Sequence, residues 1–252
     1  MIAIPIDTIT CISRSEAETL ARNEYGRVAD QLRVLAPVDW TAPTECPLWD
    51  VRAMAGHTVG MMSDFTSVRR VMRRMSSAAK AAKATGGPMI DSMTAMQVAE
   101  VADLSPEQLV MCIDTTGPKA ARWRARAPRL LRRMPMKEEV GGRPETWRVS
   151  YLLDVVLTRD PWMHRVDIAR ATHTELTLSP DHDGRIVADV VAEWGRRHGR
   201  PFALVLTGPA GGRFVAGDGT RGETYELDAV EFCRILSGRE KGSGLLSQEV
   251  PF

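Results

Sequence analysis

The chain has 252 residues, 44% of them hydrophobic and 26% charged, which is the composition of a globular protein with enough apolar material for a core. Lysine and arginine total 33 against 32 aspartates and glutamates, so a net charge of +1 gives no overall electrostatic pull toward nucleic acid or an anionic membrane. Cys11, Cys46, Cys112 and Cys233 are scattered without a C-x-x-C pair and read as reduced thiols. The apolar start lacks a basic n-region, and no apolar run reaches the roughly 18 residues of a membrane span. The expectation is a cytoplasmic protein with no membrane and no nucleic-acid partner, acting on small molecules.

Ser13 and Ser15 are N-cap types, and Ala17, Leu20, Tyr25, Val28, Leu32 and Leu35 follow at helical spacing until Pro37 stops the pattern. Asp50 is the next N-cap, and Val51, Met54, Thr58, Met61, Met62, Phe65, Val68 and Met72 predict one long second helix that carries His57. The segment 76–91 loses periodicity, ends in Gly-Gly-Pro and reads as a loop. Ser105-Pro106-Glu107 opens a third helix, which Pro118 and Pro128 should break or kink. Residues 135–145 read as another loop. From 147 to 173 a fourth amphipathic helix, or two helical pieces meeting at Pro161, completes an N-terminal bundle.

After residue 174 the texture changes. Asp183 to His198 predicts a helix, the segments 202–208, 212–218 and 223–229 predict short strands between glycine turns, and Asp228 with Glu231 caps a last helix. The reading is an α+β chain: residues 1–174 a four-helix bundle, residues 175–252 a small α/β domain, with no internal repeat.

Asp160 and His164 stand four apart, so on a helix they share a face with Cβ atoms roughly 5–6 Å apart. His57, on a helix that an up-and-down bundle sets beside the fourth, could supply a third ligand. Two imidazoles and a carboxylate suit zinc, nickel, iron or manganese, zinc preferred, and three protein ligands leave room for water or substrate. The competing reading makes Asp160 an N-cap, Pro161 the first residue of a new helix, and His164 an ordinary histidine.

The pattern W-x5-C-P-x-W-x-V-x5-H from Trp40 to His57, joined to R-D-P-W-M-H-R-V-D-I-A-R-A at 159–171, resembles the mycothiol-dependent maleylpyruvate isomerase family of the DinB-like superfamily of metal-binding four-helix bundles. Ser237-Gly238-Arg239 is similar to the end of the family's appended α/β domain. The resemblance implies a divalent metal on His57, Asp160 and His164, with Asp160 one methylene shorter than the family's usual glutamate. It also implies mycothiol as the thiol cofactor. An external thiolate would add to an electrophilic substrate, as in an isomerase or an S-transferase. A catalytic arginine of the C-terminal domain is implied too, with Arg239 the best match and Arg234 next; the plainer alternative is a helix-end arginine offsetting the helix dipole. The non-enzymatic alternative is a metal-binding, regulatory or partner-binding protein on the same bundle. The oligomeric state stays open.

Other features have plain readings. Arg122, Arg126, Arg129 and Arg133 make a solvated basic face rather than a nucleic-acid site. The methionines Met54, Met61, Met62, Met72 and Met75 line the apolar side of helix two. Trp49 and Trp162 serve as packing anchors or pocket walls, Cys46 is structural, and His173, His182 and His198 are expected to be exposed.

Overall fold

A computed structural model describes residues 2–217 and 222–252, and the chain divides into two compact units. The first comprises residues 14–134 and 152–175; the second comprises residues 1–13, 135–151 and 176–252. The linear division at 174/175 cannot express this arrangement. Two earlier segments cluster with the C-terminal part because their strands and side chains pair there.

In the helical unit, α1 (Arg14–Arg33), α2 (Val51–Asp64), α5 (Pro106–Arg126) and α8 (Leu157–Thr172) form the bundle. Their shared core includes Leu20, Val28, Leu32, Met54, Met61, Leu109, Ile113, Met163 and Val166, all buried. Asp50 caps α2 by accepting from the Ala53 amide at 2.7 Å, and Ser105 forms a capping box with Gln108 on α5. A buried ion pair, Arg165 Nε to Glu24 Oε1 at 2.8 Å, ties α8 to α1.

The expected second helix is two helices. The chain leaves α2 at Phe65 and restarts on the Ser67 cap as α3 (Val68–Thr85), so Met72 and Met75 are exposed instead of lining the core. The expected loop at 76–91 is the rest of α3, a left-handed Gly86 (φ 73°), and the start of α4 (Met89–Glu100). Asp64 anchors this addition: it accepts two bonds of 2.9 Å from Arg74 Nε and one of 2.8 Å from Gln97. α5 passes through Pro118 unbroken and ends before Pro128, and a short α6 (Arg129–Arg133) follows.

In the second unit, the expected loop at 135–145 is a hairpin of β2 (Pro135–Val140) and β3 (Arg143–Arg148). Gly141 and Gly142, at φ 56° and 73°, make the two-residue turn that needs left-handed backbone at both positions. One helical turn, α7 (Val149–Tyr151), follows β3. Arg197 of α9 (Asp183–His198) holds Glu145 of β3, and Tyr151 donates to Glu193 at 2.6 Å. β4 (Phe202–Thr207), β5 (Gly212–Ala216) and β6 (Glu223–Asp228) form a sheet with the N-terminal β1 (Ile4–Pro5) in the order β1-β5-β4-β6. Asp218, the end of one expected strand, lies outside the described residues. Asp228 caps α10 (Ala229–Leu236). Trp194 packs on Phe202 and Phe232, with ring centroids 4.6 and 5.3 Å away, and donates to the Leu245 carbonyl at 2.9 Å. His182 is buried, contrary to the exposure expected from its position. The α+β class stands. Among the described residues no helix is long and apolar enough to cross a membrane.

Two glycines separate tight packing from open space. At Gly60 an added Cβ would lie 2.5 Å from Gln97 Cβ and 2.8 Å from its Cα, whereas at Gly26 nothing lies within 4 Å. Gly26→Ala should therefore raise stability by about 0.5–1 kcal/mol through helix propensity. Gly60→Ala should instead lower it by about 1–3 kcal/mol as α4 is pushed from α2. Urea unfolding of the two variants checks both signs.

Candidate metal centre

The site begins with a helix that has an apparent defect. Pro161 lies inside α8 and has no N–H for the carbonyl of Leu157. Immediately upstream, Leu152–Val156 is π-helical, a register that also displaces carbonyls from their usual partners. Arg124 of α5, 2% exposed, resolves both. Its Nε donates to Leu153 O at 2.8 Å, Nη1 to Leu157 O at 2.9 Å and to Tyr25 Oη at 2.8 Å, and Nη2 to Thr158 Oγ1 at 2.8 Å. The helix therefore runs through Pro161. Asp160 is not an N-cap but a helical residue one turn before His164.

His57 comes from the middle of α2, and both histidines are about 5–6% exposed. Nε2 of His164 lies 3.2 Å from Asp160 Oδ1, and Nε2 of His57 lies 3.7 Å from Oδ2 of the same carboxylate. One ligand atom from each of the three residues falls within 4.8 Å of the others. Asp160 keeps a fifth of its side-chain exposure, although its Oδ2 is buried. Trp49 stacks on His57 with centroids 4.7 Å apart and meets His164 edge-on at 5.8 Å. Trp162 is wholly buried and takes the packing role.

The electrostatics suit a cation. Burial alone would push the Asp160 carboxyl up, but the imidazoles of His164 and His57 outweigh it and hold it well below the usual carboxylate range. Burial would lower His164, yet Asp160, and then Asp167, raise it to about 9. Positive charge is thus favoured between these groups. Asp160 Oδ2 and His164 Nε2 are buried and make no hydrogen bond, so the donor set fits a divalent ion that would take their lone pairs.

Residues 21–169 match the family model of the mycothiol maleylpyruvate isomerase N-terminal domain. The chain belongs to this family. The match spans Cys46, His57, Asp160 and His164, and it stops before the C-terminal arginines. The fold is similar to the crystal structure of the mycothiol-dependent maleylpyruvate isomerase, with 18% identity, TM-score 0.56, and coverage of 93% of this chain and 94% of that one. A histidine-to-alanine mutant of that isomerase matches at 17% identity and TM-score 0.56, over 92% of each chain. No curated protein matches in sequence.

The remaining sequence candidates fall elsewhere. Arg234 is buried on α10 and paired with Glu231, and Arg239 is half-buried just past the helix, its amide bonded to Arg234 O at 3.0 Å. Both belong to the second compact unit. Cys46, read as lacking a histidine neighbour, has one in space: its Sγ, a ring nitrogen of His164 and an oxygen of Asp167 lie within 4.8 Å of one another. Sequence reasoning missed Arg124, Tyr25 and Asp167. For Arg124 the available signal was an arginine on the apolar face of α5 opposite a helix that contains proline.

Arg124→Met should cost at least about 3 kcal/mol, because it removes four buried hydrogen bonds together, to two carbonyls, the Tyr25 phenol and the Thr158 hydroxyl. Thermal unfolding of the variant measures this, and a loss under 1 kcal/mol would show that the helix needs no such support.

Proposed function

We propose that the protein is a metal-dependent enzyme that activates an external low-molecular-weight thiol, mycothiol or a close analogue, for addition to an electrophilic substrate, as an isomerase or an S-transferase. The observation that carries this reading is the buried cluster of His57, Asp160 and His164 inside a chain of the mycothiol maleylpyruvate isomerase family.

In this reading His57 and His164 present neutral nitrogens and Asp160 an anionic oxygen to one divalent cation, with zinc preferred. When bound, the cation supplies Lewis acidity that lowers a thiol from its ordinary pKa near 8.5, so that thiolate is present at neutral pH. Three side chains are the complement of catalytic rather than closed structural sites. Asp160 is the most exposed of the three, at a fifth of its side chain, and in this reading the incoming thiol approaches from that side. Trp49 covers the flank of His57 with an apolar wall and limits water there. Arg239 and Arg234 are the arginines that the resemblance implies, and Arg239 is the more exposed of the two. The protein's own cysteines are not the nucleophile; Cys46, near His164, is the one that must be tested.

Turnover of an electrophilic alkene such as maleylpyruvate should require added mycothiol, disappear on chelator treatment and return with zinc. His164→Ala should lose at least about a hundredfold in kcat/KM, while Cys46→Ala should keep most of it. Turnover without added thiol, or loss with Cys46→Ala in a folded, metal-loaded protein, would defeat the reading.

A further inference from the structure

The imidazole of His164 lies between two carboxylates, one at each nitrogen. Nε2 faces Asp160 Oδ1 at 3.2 Å, and Nδ1 faces Asp167 Oδ2 at 3.4 Å. Asp167 stands three residues after His164 on α8 and is completely buried, where a carboxylate is costly unless its bonds are satisfied. We propose that Asp167 is a positioning residue that keeps the proton of His164 on Nδ1 and so directs the Nε2 lone pair toward Asp160 and His57. This rests on the metal reading above.

The two neutral tautomers differ sharply in this setting. With the proton on Nδ1, that nitrogen donates to Asp167, and Nε2 offers a lone pair where Asp160 and His57 also converge. With the proton on Nε2, the Nδ1 lone pair would face the Asp167 carboxylate across 3.4 Å of buried space, an arrangement of two acceptors without a proton. The first tautomer still sets the Nε2 lone pair against Asp160, and a cation between them removes that repulsion. Asp167 thus determines which side of the ring can take a metal. A carboxylate behind a ligating histidine also limits ring rotation, and removing such a partner typically costs about 10- to 100-fold in metal affinity. Cys46 Sγ also lies within 4.8 Å of a ring nitrogen of His164 and an oxygen of Asp167, so its contribution must be separated from that of Asp167.

The test uses the full-length protein loaded with zinc(II) and labelled with 15N-histidine. Two-bond proton–nitrogen spectra, with His164 assigned by its loss in His164→Gln, should show the proton on Nδ1 and none on Nε2; the reverse would overturn the proposal without any Asp167 variant. Competition with a chromophoric chelator should show zinc bound about 10- to 100-fold more weakly by Asp167→Asn, with Cys46→Ala close to the parent. Parent affinity in a folded Asp167→Asn protein would overturn the proposal and leave the metal reading intact. A parent protein that takes up no zinc would overturn the metal reading itself.

Discussion

Pro161 removes one N–H from the helix that carries Asp160 and His164, and the guanidinium of Arg124 replaces it. Much of the site depends on that substitution. Had the Leu157 carbonyl been left unpaired in the core, the helix would have gained by breaking at residue 160, where aspartate and proline favour an N-cap and a first turn. Arg124 instead holds the π-helical segment, the freed carbonyl and the hydroxyl of Thr158 in one array. The proline then sits within a continuous helix, and Asp160 and His164 stay one turn apart on a common face. Tyr25 joins the same guanidinium, and burial keeps its phenol raised above the ordinary value despite the charge beside it. Through Tyr25 and Arg124, α1 and α5 thereby support a site to which they contribute no ligand.

Within that frame the cluster is an electrostatic compromise. A carboxylate near two buried imidazoles stays ionised, and His164 is raised to about 9 because the charges of Asp160 and Asp167 outweigh its burial, which acts the other way. The groups that attract a proton are those that would attract a divalent ion. Asp160 Oδ2 and His164 Nε2 make no hydrogen bond, which is costly in a buried place unless a ligand takes the lone pairs. Asp160 brings its two oxygens to 3.2 and 3.7 Å from the two imidazoles.

The sequence carried the bundle wherever helices bury a stripe. α1, α2, α5 and α8 were legible from apolar spacing, and the caps at Asp50 and Ser105 act as read. The first turns of α3 do carry helical spacing, at Val68 and Met72, but that spacing joins them to helix two, and only Val71 and Ala78 of α3 are buried. Its run of alanine and lysine spoke for helix by propensity alone. The hairpin at 135–148 was hidden for a different reason: Gly141-Gly142 was taken as a loop marker, although two adjacent glycines between strands are also the signature of a tight turn. β1 pairs with β5, 210 residues later in the register Ile4 to Phe214, and no local pattern can announce such a partner. Likewise His57, Asp160 and His164 could be named from the family pattern. Asp167 and Cys46 gained their place beside His164 only once the Trp40–Asp50 loop and α8 were seen in space.

The central claim is that His57, Asp160 and His164 together hold one divalent ion. Zinc K-edge absorption of the zinc-loaded protein, without added thiol, examines that directly. The account expects one zinc per chain with a nitrogen and oxygen shell, outer scattering from two imidazoles, and no sulfur. A sulfur shell from Cys46, scattering from fewer than two imidazoles, or the same spectrum in Asp160→Ala would contradict it.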